Sequence, residues 1–282
     1  MADRPARKPR KPHTAQVVRT ERLTPHMQRV VLGGEGLAGF TADTCTDHYV
    51  KLLFPPAAGV TYPEPFDLER IREDLPREQW PVTRTYTVRA WDAESRELTL
   101  DFVIHGDEGL AGPWAARVQP GETVHFMGPG GAYAPDLEAD WHLLVGDESA
   151  LPAIARSLES LPDGVTALAF VEVSGPEEEQ KIDSDVEVVW LHRGDRPVGE
   201  MLSETVRALE FPEGRMHAFV HGEAHFVKEL RRLLRLELQI PREDLSISGY
   251  WRLGHNEDGW QASKREWNAR IEQEQETSAP AA

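Results

Sequence analysis

The chain has 282 residues, 40% of them apolar, and a formal net charge of −17, a length that suits two modest domains better than one. That charge argues against nucleic-acid binding, which relies on basic patches, and no stretch approaches the roughly 18–20 apolar residues of a membrane span. A single cysteine, Cys45, excludes an internal disulfide, a thiolate zinc cluster and an iron–sulfur cluster, and fits a reducing cytoplasm.

Residues 1–12, MADRPARKPRKP, are basic and Pro-rich, and no apolar run follows them. They are expected to form a disordered arm and not a secretory signal. Residues 13–135 read as a β-rich domain. TAQVVRTERL, MQRVVLGG, HYVKLLFP, TRTYTVRAW and ELTLDFVIHG alternate or carry Val, Thr, Tyr and Phe, and such short strands punctuated by Gly and Pro predict a closed antiparallel barrel. Pro55–Pro81 reads as a long loop, and Gly109–Val118 as one short helix with Pro113 near its start.

From residue 136 to 260 the pattern changes to strands alternating with helices, which implies a parallel sheet. WHLLV, VTALAFVEVS, VEVVWLHR, HAFVHG and LSISGYW are the strand candidates. ALPAIARSLESL and EAHFVKELRRLLRLEL have helical spacing, the second with Phe226, Leu230, Leu233 and Leu234 on its apolar face. Residues 261–282 read as a charged tail, a surface helix that frays.

The sharpest local signal is Arg84-Thr85-Tyr86-Thr87 on a predicted strand. An Arg fork suits a pyrophosphate, an aromatic or apolar face suits a flavin ring, and a strand points Arg84 and Tyr86 to one side. Asp101-Phe102-Val103-Ile104-His105-Gly106 then leads into Gly109-Leu110-Ala111-Gly112-Pro113-Trp114. A strand, a glycine-rich turn and a helix start leave free backbone N–H groups for a phosphate. Gly128-Pro129-Gly130-Gly131-Ala132-Tyr133 closes the barrel. Val145–Pro152, VGDESALP, is a strand, turn and helix start with no G-x-G-x-x-G, and its two carboxylates equally suit an ordinary helix cap. His221-Gly222-Glu223-Ala224 has the same character. Both fall at C-terminal strand edges, where open α/β sheets bind ligands.

RTYTVR, DFVIHGDEGLAGPWAARVQPGE, GPGG, LLVGDESALPAIARSLE and GYWRLG occur in one order over residues 13–260, and in this the chain resembles the siderophore-interacting proteins, FAD-dependent ferric-siderophore reductases. The resemblance implies an antiparallel FAD-binding barrel followed by a ferredoxin-reductase-like parallel-sheet domain of the NAD(P)H-binding type. It implies that Arg84, Tyr86 and Thr87 hold FAD, with Val103, His105 and the turn Gly109, Ala111, Gly112 and Trp114 at its phosphates and adenosine. It places a nicotinamide donor, NADPH or NADH, near Asp147, Glu148, Ser149, Ala150, Gly222 and Glu223, with a ferredoxin as an alternative donor. Lys51 and Arg252 are implied as cations for an anionic ferric siderophore. Relatives commonly carry a hydroxyl residue and a basic residue where this chain has Gly112 and Pro113, and a basic residue where it has Gly130. Arg117 is a candidate replacement cation. Tyr250 and Trp251 either flank the flavin or close the core.

His217, His221 and His225 have helical spacing, but a strand followed by Gly222 separates them, so no metal site is expected. Cys45 lacks a basic activator. The activity implied is electron transfer from NAD(P)H or a reduced protein through FAD to Fe(III) in a siderophore. A general ferric reductase and a flavin-binding siderophore carrier or sensor are the alternatives.

Overall fold

The computed structural model describes residues 11–107 and 109–276. All of the basic arm but Lys11 and Pro12, together with Glu108 and the final TSAPAA, lies outside the described residues. Six strands form a closed barrel: β1 (His13–Thr24), β2 (Met27–Gly33), β3 (Tyr49–Phe54), β4 (Val82–Asp92), β5 (Glu97–Val103) and β6 (Thr123–Gly130). Their order is β1-β2-β5-β4-β3-β6, antiparallel throughout, with β6 closing on β1. Closure pairs every edge. The GPGG turn contributes Gly128 to Gly130 to β6 itself.

The barrel fills with the apolar half of each alternating strand. Val30, Leu32, Val50, Leu52, Leu100 and Phe126 are wholly buried. Two helices attach to it. The Pro55–Pro81 segment, expected as loop only, contains α1 (Leu68–Asp74), capped by Asp67, whose carboxylate accepts from the Glu69 and Arg70 amides. The helix expected over Gly109–Val118 is shorter, α2 (Ala111–Arg117), because Gly109 adopts φ +83°, outside helical space.

The second unit is a parallel five-stranded sheet in the order β11-β10-β7-β8-β9. Its strands are β7 (Trp141–Asp147), β8 (Ala167–Val173), β9 (Val188–His192), β10 (Met216–Glu223) and β11 (Leu245–Trp251). The crossover helices are α3 (Leu151–Ser160), α4 (Glu200–Arg207) and α5 (Ala224–Arg232), the last continuing through a π-helical turn at Leu233–Glu237. The chain leaves β7 toward β8 on one side and returns through β10 on the other, so the switch point lies between the C-terminal ends of β7 and β10. As expected, His217 and His221 sit on a strand and His225 on the following helix. Among the described residues no group of metal-ligating side chains is found.

The two units share an apolar seam in which Met27, Val103 and Tyr133 of the barrel domain join Leu144, Leu151 and Phe219. Polar contacts fix the same boundary. Glu178 accepts from the Thr24 hydroxyl at 2.5 Å and from the His26 amide at 3.2 Å, and Ser157 donates to Thr46 at 2.7 Å.

The last element, α6 (Glu257–Glu276), begins before the expected tail and is not merely a surface appendage. Trp260 is 1% exposed and Ile271 is 6% exposed. Trp267 receives the Arg252 guanidinium 4.0 Å over its ring and meets His225 edge-on at 5.6 Å. Trp260, Trp267 and Ile271, spaced by seven and four, form one helical stripe. Among the described residues no helix is long and apolar enough to cross a membrane.

Candidate functional site

Strand register places the first motif. Thr85 of β4 lies opposite Lys51 of β3, and Thr87 opposite Tyr49, while Arg84 and Tyr86 oppose the buried Leu52 and Val50. Lys51, Tyr49, Thr85 and Thr87 therefore share one face of the β3–β4 ribbon. Tyr250 from β11 reaches that face: its hydroxyl hydrogen-bonds with the Thr87 side chain, and burial holds the phenol well above its ordinary pKa. The end of the sheet and the motif strand thus meet at Thr87.

Arg84 is 11% exposed at its side chain and carries anions. Its two terminal nitrogens donate to the Asp258 carboxylate at 3.0 and 2.9 Å, its Nε lies 3.7 Å from Glu257, and the Thr85 amide donates to Glu257 at 2.9 Å. A bidentate fork beside a strand amide matches the donor set an FAD diphosphate needs, and in this structure two carboxylates of α6 occupy it. The residues present therefore fit the cofactor. Burial pushes the Glu257 carboxyl up, opposed by the Thr85 hydrogen bonds and Arg84. Tyr86 has its ring against Phe102, 4.1 Å between centres.

The second motif runs from the end of β5 into α2. Val103 spends its side chain in the seam between domains, and Trp114 packs against Phe54 and Phe102. Both side chains are partly buried. A Cβ at Gly112 would meet the Val103 carbonyl at 3.3 Å, so the turn and β5 approach closely. His105 and Gly109 are exposed beside them, and Ala111 is buried.

At the switch point the sheet ends are tied by carboxylates. Asp147, fully buried, accepts from the Ser149 amide and hydroxyl at 2.9 and 2.5 Å, from the Glu223 amide at 2.8 Å and from the Trp251 indole at 2.8 Å. Burial raises its pKa against those hydrogen bonds. Glu223 accepts from the His225 and Leu253 amides, and Glu148 pairs with Arg193 at 2.5 Å. Gly222 is required, since its φ is +138° and a Cβ would lie 2.7 Å from Asp147. Asp147, Glu148 and Glu223, expected at a nicotinamide, are thus occupied in holding backbone and an arginine. Ser149 is partly exposed there, and Ala150 is buried beneath it.

Sequence reasoning missed one cation. Lys264 of α6 is half-buried, and its pKa is lowered first by burial and then by Lys51. It also lies near enough to His221 to help depress that imidazole. Lys264 is thus a cation beside Lys51 that the sequence reading did not single out. Gly130 itself is covered by the Tyr49 ring, which a Cβ would meet at 2.4 Å. The signal was present: Lys264 follows the buried Trp260 by one helical turn. Arg252 is stacked on Trp267, with its Nε unpartnered.

Comparisons with known proteins give the family and the fold. The profile of the siderophore-interacting FAD-binding domain matches residues 16–133, and that of the siderophore-interacting protein matches residues 139–254. The chain is similar to a ferric vibriobactin reductase of Vibrio cholerae, at 36% identity over 88% of this chain and 92% of that one. It is 32% identical to an NADPH-dependent ferric-chelate reductase of Escherichia coli, covering 83% of this chain and 91% of that one. The structure resembles a siderophore utilization protein from T. fusca, with a TM-score of 0.75 and 38% identity over 87% and 94% of the two chains. Phthalate dioxygenase reductase, 13% identical with a TM-score of 0.59 over 87% and 70% of the two chains, shares the fold alone. The chain belongs to the siderophore-interacting protein family.

Proposed function

We propose that this protein is an FAD-dependent ferric-siderophore reductase that draws electrons from NAD(P)H, or from a reduced protein such as a ferredoxin, in the cytoplasm. The observation that carries the reading is the ribbon face of Lys51, Thr85 and Thr87, met by the Tyr250 hydroxyl from the second sheet, with Lys264 of α6 feeling the charge of Lys51. Burial and the neighbouring Lys51 make the Lys264 ammonium costly to keep charged. A ferric complex of net negative charge relieves that cost, in a chain whose overall charge repels anions.

When bound, FAD supplies the exchange between a two-electron hydride donor and a one-electron metal acceptor. In this reading Arg84 and the Thr85 amide receive its diphosphate, Tyr86 and Thr87 its isoalloxazine end, and the backbone at Gly109–Gly112 its adenosine side. Tyr250, joined to Thr87, borders the ring and excludes water from it. The donor approaches over Ser149 at the switch point, where Asp147 keeps the turn in place. Lys51 and Lys264, with Arg252 behind them, draw in the ferric complex by charge without ligating iron. Reduction to Fe(II) weakens the hard oxygen coordination, so the metal leaves.

The test is an anaerobic mixing experiment. The protein with FAD, reduced by dithionite and freed of excess reductant, is mixed with a ferric catecholate siderophore. Recovery of the oxidised flavin spectrum in step with Fe(II) formation is expected. A reduced flavin that persists beside the ferric complex contradicts the reading.

A further inference from the structure

The donor set assigned to the FAD diphosphate is already filled by this chain. Asp258 takes the two terminal nitrogens of Arg84, Glu257 takes the Thr85 amide and lies 3.7 Å from the Arg84 Nε, and Arg84 also donates to its own neighbour, the Thr83 carbonyl, at 2.7 Å. Three anionic groups cannot share one guanidinium fork and one amide: the geometry of the fork admits one bidentate partner, and like charges at that separation repel.

The rest of α6 is held separately from these contacts. Trp260 is buried where a Cβ on Gly249 would meet it at 3.1 Å, and Trp267 lies between His225 and Arg252. Glu272 pairs with Arg231 and Arg242. The segment entering the helix is exposed from Leu253 to Asn256, with Gly254 at φ +77°. The first turn can therefore leave Arg84 while the indole anchors stay in place.

We propose that the first turn of α6 is an intramolecular competitor for the flavin diphosphate: Glu257 and Asp258 occupy Arg84 and Thr85 in the apoprotein, and FAD binding displaces them. This rests on the reading that Arg84 receives the diphosphate, and it makes cofactor loading depend on the C-terminal helix. The isosteric E257Q/D258N protein removes the competing charge without removing bulk.

The experiment titrates FAD, and separately ADP as a diphosphate probe without the ring, into apoprotein of four kinds: wild type, E257Q/D258N, R84A and the triple variant. E257Q/D258N is expected to bind both ligands roughly tenfold more tightly, the scale of a charge-assisted contact. R84A is expected to bind both more weakly, and adding E257Q/D258N to R84A is expected to change little. If R84A binds FAD as wild type does, the reading of Arg84 fails. If R84A weakens binding but E257Q/D258N binds no more tightly than wild type, the competitor is overturned while the reading stands. Hydrogen exchange on the unmutated protein gives a second readout. Residues 255–263 should exchange faster once FAD is bound, and equal or slower exchange would make this turn part of the cofactor's cradle instead.

Discussion

Trp251 donates its indole N–H to Asp147 at 2.8 Å, joining the C-terminal end of β11 to that of β7 across the intervening β10. The same carboxylate receives the Glu223 amide, so one buried side chain fixes three strand ends at the switch point. Asp147→Asn leaves at least one of these donors facing an amide N–H. A loss of about 1–3 kcal/mol in stability is expected, seen as a lower melting temperature. The KM for NADH or NADPH should stay within a factor of about two, below 1 kcal/mol. A raised KM at unchanged melting temperature would mean that Asp147 contacts the donor directly.

In the proposed reading Lys51 and Lys264 meet the charge of one ferric complex. Lys51→Ala and Lys264→Ala are each expected to raise KM for an anionic ferric catecholate by roughly threefold to tenfold. Added salt should weaken wild-type binding and shrink both effects, and a neutral ferric hydroxamate should feel both changes less. Steady-state kinetics at two ionic strengths provide the check. Equal losses on both complexes, independent of salt, would assign these lysines to the fold.

Two histidines make acid costly. Burial pushes His142 down to about 4, helped by His217 and Arg215 and opposed by Asp136, and pushes His221 down to about 3, helped by Lys264. Each folded-state value lies below the ordinary 6.5, so as pH falls the unfolded chain takes up protons first. The stability is complete above about pH 6.5 and is lost on moving down toward the folded values, by about 1.4 kcal/mol per pH unit for each histidine. Neither ring nitrogen of His142 has a partner, so His142→Leu sacrifices no hydrogen bond. Melting temperatures at pH 7.5 and 5.5 should differ less for His142→Leu than for wild type; an unchanged difference would show that this ring titrates normally.

Much of the architecture was legible because its signals are local. Alternation in β1 to β5 and the switch to strand-helix alternation after Pro135 each express a period within one element. Arg84 was legible as a candidate anion-binding residue through the order of motifs around it, since R-x-Y-T alone also suits an ordinary barrel strand. What meets Arg84 was not: Asp258 is 174 residues away, and no spacing records that contact. The surface helix read from Gln261 begins earlier, at Glu257, and its buried stripe of Trp260, Trp267 and Ile271 went unread because the polar face outnumbers it. Lys264 was passed over for the same reason. Asp147 and Glu223 suited a cap or a ligand equally by sequence; in the fold Glu223 caps α5, while Asp147 accepts from two backbone amides, the Ser149 hydroxyl and the Trp251 indole.

The most direct measurement is steady-state Fe(II) production, trapped by an Fe(II)-specific chelator, from a ferric siderophore and NAD(P)H under anaerobic conditions. It is made with protein stripped of flavin and with the same protein reconstituted with FAD. Fe(II) should form at a rate proportional to the FAD-loaded protein and be absent from the stripped sample. Protein that takes up no FAD, or FAD-loaded protein that releases no Fe(II) with NADPH, NADH or a reduced ferredoxin, would contradict a flavin-dependent ferric-siderophore reductase.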